Sequence, residues 1–166
     1  MTIENLNCKK HPVLCLLVLT VVLCTACSSK LVRGEPPLIR MTEISHGDGN
    51  IGLQLSMRNL NGVDLNVQNI EFRLTVKEDE DTDENELIAY EGPVGTRIVA
   101  NGTESWSMDA VESEVSRNLL ESLENGDVIS LPYKLKGSIT STDDGTMRFE
   151  YEGHIYPLPG KPGYFR

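Results

Sequence analysis

Beyond residue 27 the chain has no cysteine: Cys8, Cys15, Cys24 and Cys27 are its only four. That excludes a disulfide framework, a thiolate nucleophile and a cysteine-based zinc site from the remainder. Histidine is nearly as scarce, with only His46 and His154 after that point. No Gly-x-Ser-x-Gly elbow, His-Glu-x-x-His helix or zinc-ligand spacing occurs, so the expectation is a protein that is not an enzyme and has no small-molecule substrate. Positive charge is short as well: 15 Lys and Arg stand against 25 Asp and Glu, a formal charge of −10. Such a surface repels nucleic acid and anionic headgroups, so no nucleic-acid partner is expected and any hold on a membrane must come from elsewhere. A long apolar run is missing too. The run Val13–Leu23 spans eleven residues, against about twenty for a membrane-crossing helix.

What is present at the start is an ordered signal. Lys9 and Lys10 precede the apolar run, and Cys24-Thr25-Ala26-Cys27 follows it. Positive region, apolar core and small-residue cleavage site in that order make a secretory signal. The residues before Ser28 resemble the lipobox of bacterial lipoproteins, with Thr25 and Ala26 small and Cys24 where leucine is usual. The resemblance implies cleavage between Ala26 and Cys27, a covalent lipid on Cys27 as the chain's one attached group, and no other cofactor. Several acyl chains anchor stably where one does not. Ser28, rather than aspartate, after the cysteine resembles lipoproteins sent to the outer membrane, which places the expected domain in the periplasm. The segments are then 1–26 signal, 27–37 lipidated tether ending in Pro36-Pro37, and 38–166 a single domain. Loss of Lys9, Lys10 and Glu4 removes a net +1 and takes the charge of the remaining 140 residues from −10 to −11.

In the domain the dominant pattern has period two. Ile51, Leu53, Leu55 and Met57 alternate with polar or glycine positions. The same holds for Ile70, Phe72, Leu74 and Val76, for Ile129, Leu131, Tyr133 and Leu135, and for Met147, Phe149 and Tyr151. One apolar and one charged face mark strands that cover a core. Leu38–Ser45, Leu87–Tyr90 and Ser105–Ala110 are weaker candidates. Between them fall Asp48-Gly49, Asn61-Gly62, Asn101-Gly102, Asn125-Gly126 and Asp144-Gly145, pairs that accommodate positive φ. The expected fold is an all-β antiparallel sandwich of about seven strands. Pro132 suggests an edge strand or a bulge. One short helix is expected where Val111, Val115, Leu119 and Leu123 recur every four residues, capped by Ser113 and ended by Gly126.

Three further motifs weigh on function. Gly47-Asp48-Gly49-Asn50-Ile51-Gly52 has the letters of a dinucleotide fingerprint but leads into an alternating strand, not a helix, and so reads as a hairpin turn. Glu78, Asp79, Glu80, Asp81, Asp83, Glu84 and Glu86 crowd into residues 78–86. They lack the spacing and mid-loop glycine of a calcium loop, and the preferred reading is a solvated, self-repelling connection, with weak calcium binding as the alternative. Trp106 alternates with Met108 and Ala110 and reads as core; Tyr156, Tyr164 and Phe165 read as a last segment packed over an open edge.

The order of these elements, the turn Asn59-Leu60-Asn61 after the second strand, Tyr133-Lys134-Leu135-Lys136-Gly137 and the closing Pro157-Leu158-Pro159 resemble the group 2 late-embryogenesis-abundant family, also called the water-stress and hypersensitive-response domain. Leu60 stands where the family has proline between the two asparagines. The resemblance covers about residues 37–160. It implies an immunoglobulin-like or fibronectin-III-like sandwich without an active site, and a role in protecting client proteins and membranes during drying, freezing and other stress. The alternative is an accessory subunit that docks one specific partner in the cell envelope. The lipid anchor is testable at once. Cys27→Ser should abolish incorporation of radiolabelled palmitate and release the chain from the membrane fraction; a variant that still takes up label would remove Cys27 from that role.

Overall fold

Residues that alternate between apolar and charged bury one face only as extended chain, and the alternating segments do form strands. The computed structural model describes residues 34–77 and 83–166. In chain order these form β1 (Leu38–Gly47), β2 (Asn50–Arg58), β3 (Leu65–Val76), β4 (Asn85–Ile98), β5 (Thr103–Val111), α1 (Glu114–Asn125), β6 (Leu131–Ser141), β7 (Gly145–Ile155) and β8 (Tyr164–Phe165). Two four-stranded antiparallel sheets result, β5-β2-β1-β8 and β4-β3-β6-β7. Their inner faces share one core, built on Ile39, Ile44, Leu53, Leu55, Met57, Ile70, Phe72, Leu74 and Leu135, all essentially inaccessible. The fold is an all-β sandwich.

Three places break the period of two, and each coincides with a register shift. Met41 and Ile44 are both buried because the pairing of β1 with β2 slips at Thr42. Val67 and Ile70 are both buried because β3 carries an extra residue at Gln68 against β6, while against β4 the extra residue lies in β4 between Pro93 and Thr96. Leu87 and Ile88 point inward in succession where β4 slips against Leu74 and Thr75. A bulge adds one residue to one strand and so resets which side chain meets the core.

One lateral side of the sandwich is closed where β4 meets β5. Tyr90 and Trp106 lie 5.1 Å apart, centroid to centroid, and Phe72 meets the Trp106 ring edge-on at 6.5 Å. Trp106 is thus half-buried at the core margin. At one end α1 carries the chain from one sheet to the other. Ser113 Oγ accepts from the Ser116 N–H at 3.0 Å, and Gly126 at φ 82° ends the helix. Ser116 is itself buried and donates its hydroxyl to the Leu87 carbonyl at 2.8 Å, which ties α1 to β4.

Four expectations need correction. Ile129 is 87% exposed in the connection before β6, which begins at Leu131; the αL cap at Gly126 has turned the chain before the strand starts. The helix buries Ser116, Leu119, Leu120 and Leu123 rather than a Val111–Val115 stripe. Val111 still belongs to β5, and Val115, one residue into the helix, points to solvent. Pro132 lies in β6, a central strand between β3 and β7. It is tolerated because its carbonyl accepts from Lys77, just past the last residue of β3, so its missing donor faces the exhausted end of that ladder. Asn61-Gly62 adopts no positive φ, unlike Asp48-Gly49, because the β2–β3 connection is held by side chains rather than by a tight two-residue reversal. The Asp48-Gly49 turn, with both φ positive, joins β1 to β2 as a hairpin. The strand count is seven long strands plus the two-residue β8.

The topology gives the sandwich two distinct poles. The β2–β3, β4–β5 and β6–β7 connections and residues 34–37 gather at one, which we call the loop pole. The β1–β2 turn, the ends of the β3–β4 connection, α1 and the C-terminal segment gather at the other. The loop pole is organised by Asn59, which is wholly buried. Its Nδ2 donates to the carbonyls of Val63 at 2.7 Å, Ile98 at 3.2 Å and Val99 at 3.2 Å, and its Oδ1 accepts from the Asn61 N–H at 2.9 Å. Asn61 in turn exchanges two hydrogen bonds with the Glu35 backbone, each 2.8 Å. Asp64 takes the Ala100 N–H at 2.9 Å and pairs with the Arg97 guanidinium. Arg97 and the Ala100 amide hold the Asp64 carboxyl below the usual carboxylate range.

Truncation at Asn59 takes its side-chain partner from the carbonyls of Val63, Ile98 and Val99, of which Val99 keeps the Gly102 N–H, and from the Asn61 amide. Asn59→Ala should therefore lower the unfolding free energy by about 2–4 kcal/mol in urea titration; a change within error would mean that water replaces the amide. A lowered carboxyl pKa contributes stability above the ordinary carboxylate range and loses it as pH falls through the folded value. Asp64→Asn should accordingly flatten the acid limb of stability against pH and leave the alkaline limb unmoved; an unchanged acid limb would count against the assignment.

Candidate functional site

Among the described residues, β7 has a strand neighbour on one side only. The direction of its backbone groups follows from the ladder. The Lys77 N–H reaches the Pro132 carbonyl at 3.1 Å, so the even-numbered residues of β6 point their backbone groups at β3 and the odd-numbered ones at β7. In β7 the odd-numbered residues consequently bond to β6. Thr146, Arg148, Glu150, Glu152 and His154 turn their N–H and C=O groups away from the sheet. Just beyond, Tyr156 exchanges two hydrogen bonds with Arg166, each 2.9 Å, in the same outward direction. The C-terminal segment thus closes the last part of this edge and leaves the five preceding positions unpaired among the described residues.

The inner face of β7 along that edge is aromatic. Phe149 and Tyr151 are half-buried against the core margin, and Tyr151 lies 6.3 Å from Tyr133. Two glycines make room. Gly137 sits opposite Phe149, where an added Cβ would come within 2.8 Å of the ring, and Gly153 sits opposite Tyr133, where it would meet that ring at 2.8 Å. Burial, with Tyr151 adding to it and Arg40 opposing, pushes the Tyr133 hydroxyl up to about 12. The hydroxyl is therefore a neutral donor and acceptor at any physiological pH. On the outer face Lys134 bridges Glu152 at 2.7 Å and Glu150 at 3.1 Å, and Lys136 reaches Glu150 at 3.5 Å. These contacts raise the Lys134 ammonium, chiefly through Glu152, and Lys134 lowers the Glu150 carboxyl. Arg148 has no ion-pair partner among the described residues. Backbone donors and acceptors in a row, with alternate aromatic and charged side chains, are what an added strand would meet.

A second cluster, invisible to sequence spacing, sits at the opposite pole. His46 Nδ1 lies 3.1 Å from Glu112 Oε1, and its Nε2 lies 3.2 Å from Glu124 Oε2. Arg117 Nε donates to the other Glu112 oxygen at 3.0 Å. Glu124 also accepts the Gly163 N–H at 3.1 Å, and the His46 N–H donates to the Gly163 carbonyl at 2.8 Å. The cluster fastens β1, α1 and the C-terminal segment to one another. No local signal linked residues 46, 112, 124 and 163. His154, by contrast, is exposed on the outer face of β7.

Ala26 and Cys27 lie outside the described residues, as do Glu78, Asp79, Glu80 and Asp81. Of the acidic run, Asp83, Glu84 and Glu86 are described. Glu84 accepts from the Thr75 hydroxyl at 3.2 Å, Glu86 pairs with Arg73 at 3.5 Å, and no group of three metal-ligating side chains forms among the described residues. Asn59, Leu60 and Asn61 form the buried-amide turn at the loop pole, with Leu60 itself exposed. A depression of about 430 Å³ on the outer face lies between Lys77, Glu84, Lys134 and His154; there Lys134 pairs with Glu152 and Glu84 accepts from the Thr75 hydroxyl.

No protein-family profile matches this chain, and no curated protein matches it by sequence. Among solved structures, several align with most of it at low identity and TM-scores below 0.5. A solution structure of an Arabidopsis thaliana protein is 14% identical, with 82% of this chain and 95% of that chain covered at a TM-score of 0.48. A candidate late embryogenesis abundant (LEA) protein is 15% identical, with 84% and 83% covered at 0.42. A crystal structure from Archaeoglobus fulgidus is 10% identical, with 73% and 96% covered at 0.43.

Proposed function

We propose that this chain is a lipid-anchored, non-catalytic domain of the bacterial envelope, held by Cys27 and facing the periplasm, that shields client proteins under stress by pairing with their extended segments. The observation that carries this reading is the edge of β7. Five consecutive outward-facing positions, Thr146 to His154, offer unpaired backbone groups beside the half-buried rings of Phe149 and Tyr151. An exposed edge invites any extended chain, and proteins that keep one commonly guard it with charge. Here Arg148, Glu150 and Glu152 stand along the outer face of that strand, and the chain's formal charge is −10. Such an edge favours partially unfolded segments, which have free backbone groups, over folded neighbours and over other copies of the same acidic chain.

Proline at an outward position removes one donor and blocks approach, while the bonds of β7 to β6 stay intact. Arg148→Pro should therefore unfold at the wild-type temperature but lose protection of a labile enzyme through drying and freeze–thaw. The comparison is an unrelated, equally acidic β-sandwich at the same mass. Wild-type protection no better than that sandwich would end the client reading and favour a dedicated envelope partner. Full protection by Arg148→Pro would move the client site away from β7.

A further inference from the structure

The loop pole carries a cluster of exposed apolar side chains that the client reading does not use. Leu60 is 43% exposed, Val99 51% and Val63 67%. They are neighbours, because the single buried amide of Asn59 bonds the carbonyls of both Val63 and Val99 and precedes Leu60 in the chain. Their backbones are fixed by that amide, so the three side chains form a preset surface rather than a loose loop.

The same pole is where the tether arrives. The Gly34 N–H donates to the Asp144 carboxylate at 3.3 Å, and the Glu35 backbone is locked to Asn61. Gly34 is seven residues after Cys27, so the chain between them reaches at most about 25 Å. Strands of nine to fourteen residues make the sandwich roughly 30–45 Å from pole to pole. A lipid at Cys27 therefore keeps the loop pole near the bilayer and cannot bring the opposite pole down while the domain stands on end. Lying flat would press a charged sheet face onto the headgroups: Arg73, Glu86, Lys134, Lys136 and Glu150 occupy the outer face of β4-β3-β6-β7. The opposite pole also exposes apolar side chains, Val111, Val115 and Ile129, and these would then stand away from the membrane.

We infer that Leu60, Val63 and Val99 form a bilayer-contacting surface that seats the domain end-on in the headgroup region of a zwitterionic membrane. The inference rests on the lipid anchor proposed above. Charge does not drive the contact, because Asp64 is already neutralised by Arg97 and the pole offers Asp143 and Asp144 rather than a basic cluster. Apolar side chains at the interface supply the attraction, and the acyl chains supply the retention. With the loop pole seated, the free edge of β7 runs away from the bilayer into the aqueous space where clients are met.

The test uses the full chain, lipidated in cells and reconstituted into phosphatidylcholine–phosphatidylethanolamine vesicles. The native thiol of Cys27 would be consumed by the lipid, so Val63→Cys, Val99→Cys and Ile129→Cys each give one site for an environment-sensitive fluorophore. Flotation reports the anchor, and quenching by lipid spin-labelled near the headgroup reports the seat. Labels at 63 and 99 should shift to the blue and lose intensity to the quencher, while the label at 129 should do neither. Protein that fails to float overturns the anchor and this seat with it. Protein that floats with silent labels at 63 and 99 overturns the seat alone. Quenching at all three sites means a flat domain, and a blue shift without lipid quenching means that a second copy or another protein covers the loops; either overturns the end-on seat.

Discussion

Each sheet of this protein has one face that water will not tolerate, and burying those two faces against each other constrains everything else. Ile70, Phe72 and Leu74 on one sheet and Leu53, Leu55 and Met57 on the other lose almost all contact with solvent only in the stacked arrangement. Stacking satisfies faces but not edges. A four-stranded sheet still presents two rows of unpaired backbone groups, and the two lateral sides of the sandwich treat theirs differently. Where β4 meets β5, the Phe72, Tyr90 and Trp106 rings close the gap. On the other side β1 also meets β7, and the C-terminal segment pairs through Phe165 with the end of β1 and through Arg166 with Tyr156 just past β7. The outward backbone groups of β7 stay unpaired among the described residues.

Polar groups inside the fold act at its ends rather than in its middle. Asn59 at one pole and the His46–Glu112–Glu124 cluster at the other each join segments far apart in sequence. Among the described residues no buried side-chain nitrogen or oxygen lacks a partner. Both clusters are fully used in holding connections together, which leaves the poles rigid enough to present preset surfaces. The difference between them is what they display: apolar loop tips beside the tether, and α1 with the C-terminal strap at the far end. A chain attached through its N-terminal side therefore has an intrinsic up and down.

Much of the fold was legible because period-two burial is a local property. Ile70–Val76 and Met147–Tyr151 needed no tertiary information to be recognised as strands, and neither did the Ser113 and Gly126 helix signals. Failures occurred where a residue's role depends on a distant partner. Pro132 reads as an edge residue from its chemistry alone, yet β3 ends one residue early and leaves it room in a central strand. Val115, expected on the buried stripe, is exposed, while Ser116 is buried and donates to the Leu87 carbonyl, a partner that only the folded chain brings near. The bulges at Thr42 and Gln68 interrupt an otherwise regular alternation and show only through their pairing partners.

The asparagines of Asn59-Leu60-Asn61 stood out in the sequence, but the bonding that makes Asn59 a keystone joins residues 39 and 40 positions apart. The free edge of β7 lay beyond sequence reading for the same reason. A strand's own residues say that it will pair, and only the complete sheet order says on how many sides. What the amino-acid sequence determined by itself is what short-range sterics and hydrophobic periodicity control: strand, turn and helix identity, an acidic composition, and the absence of cysteine beyond residue 27. What the tertiary structure alone decided is which edge stays open, which polar groups are sealed inside and which apolar tips meet at one pole. Those outcomes depend on long-range register, where one extra residue moves every later side chain to the other face.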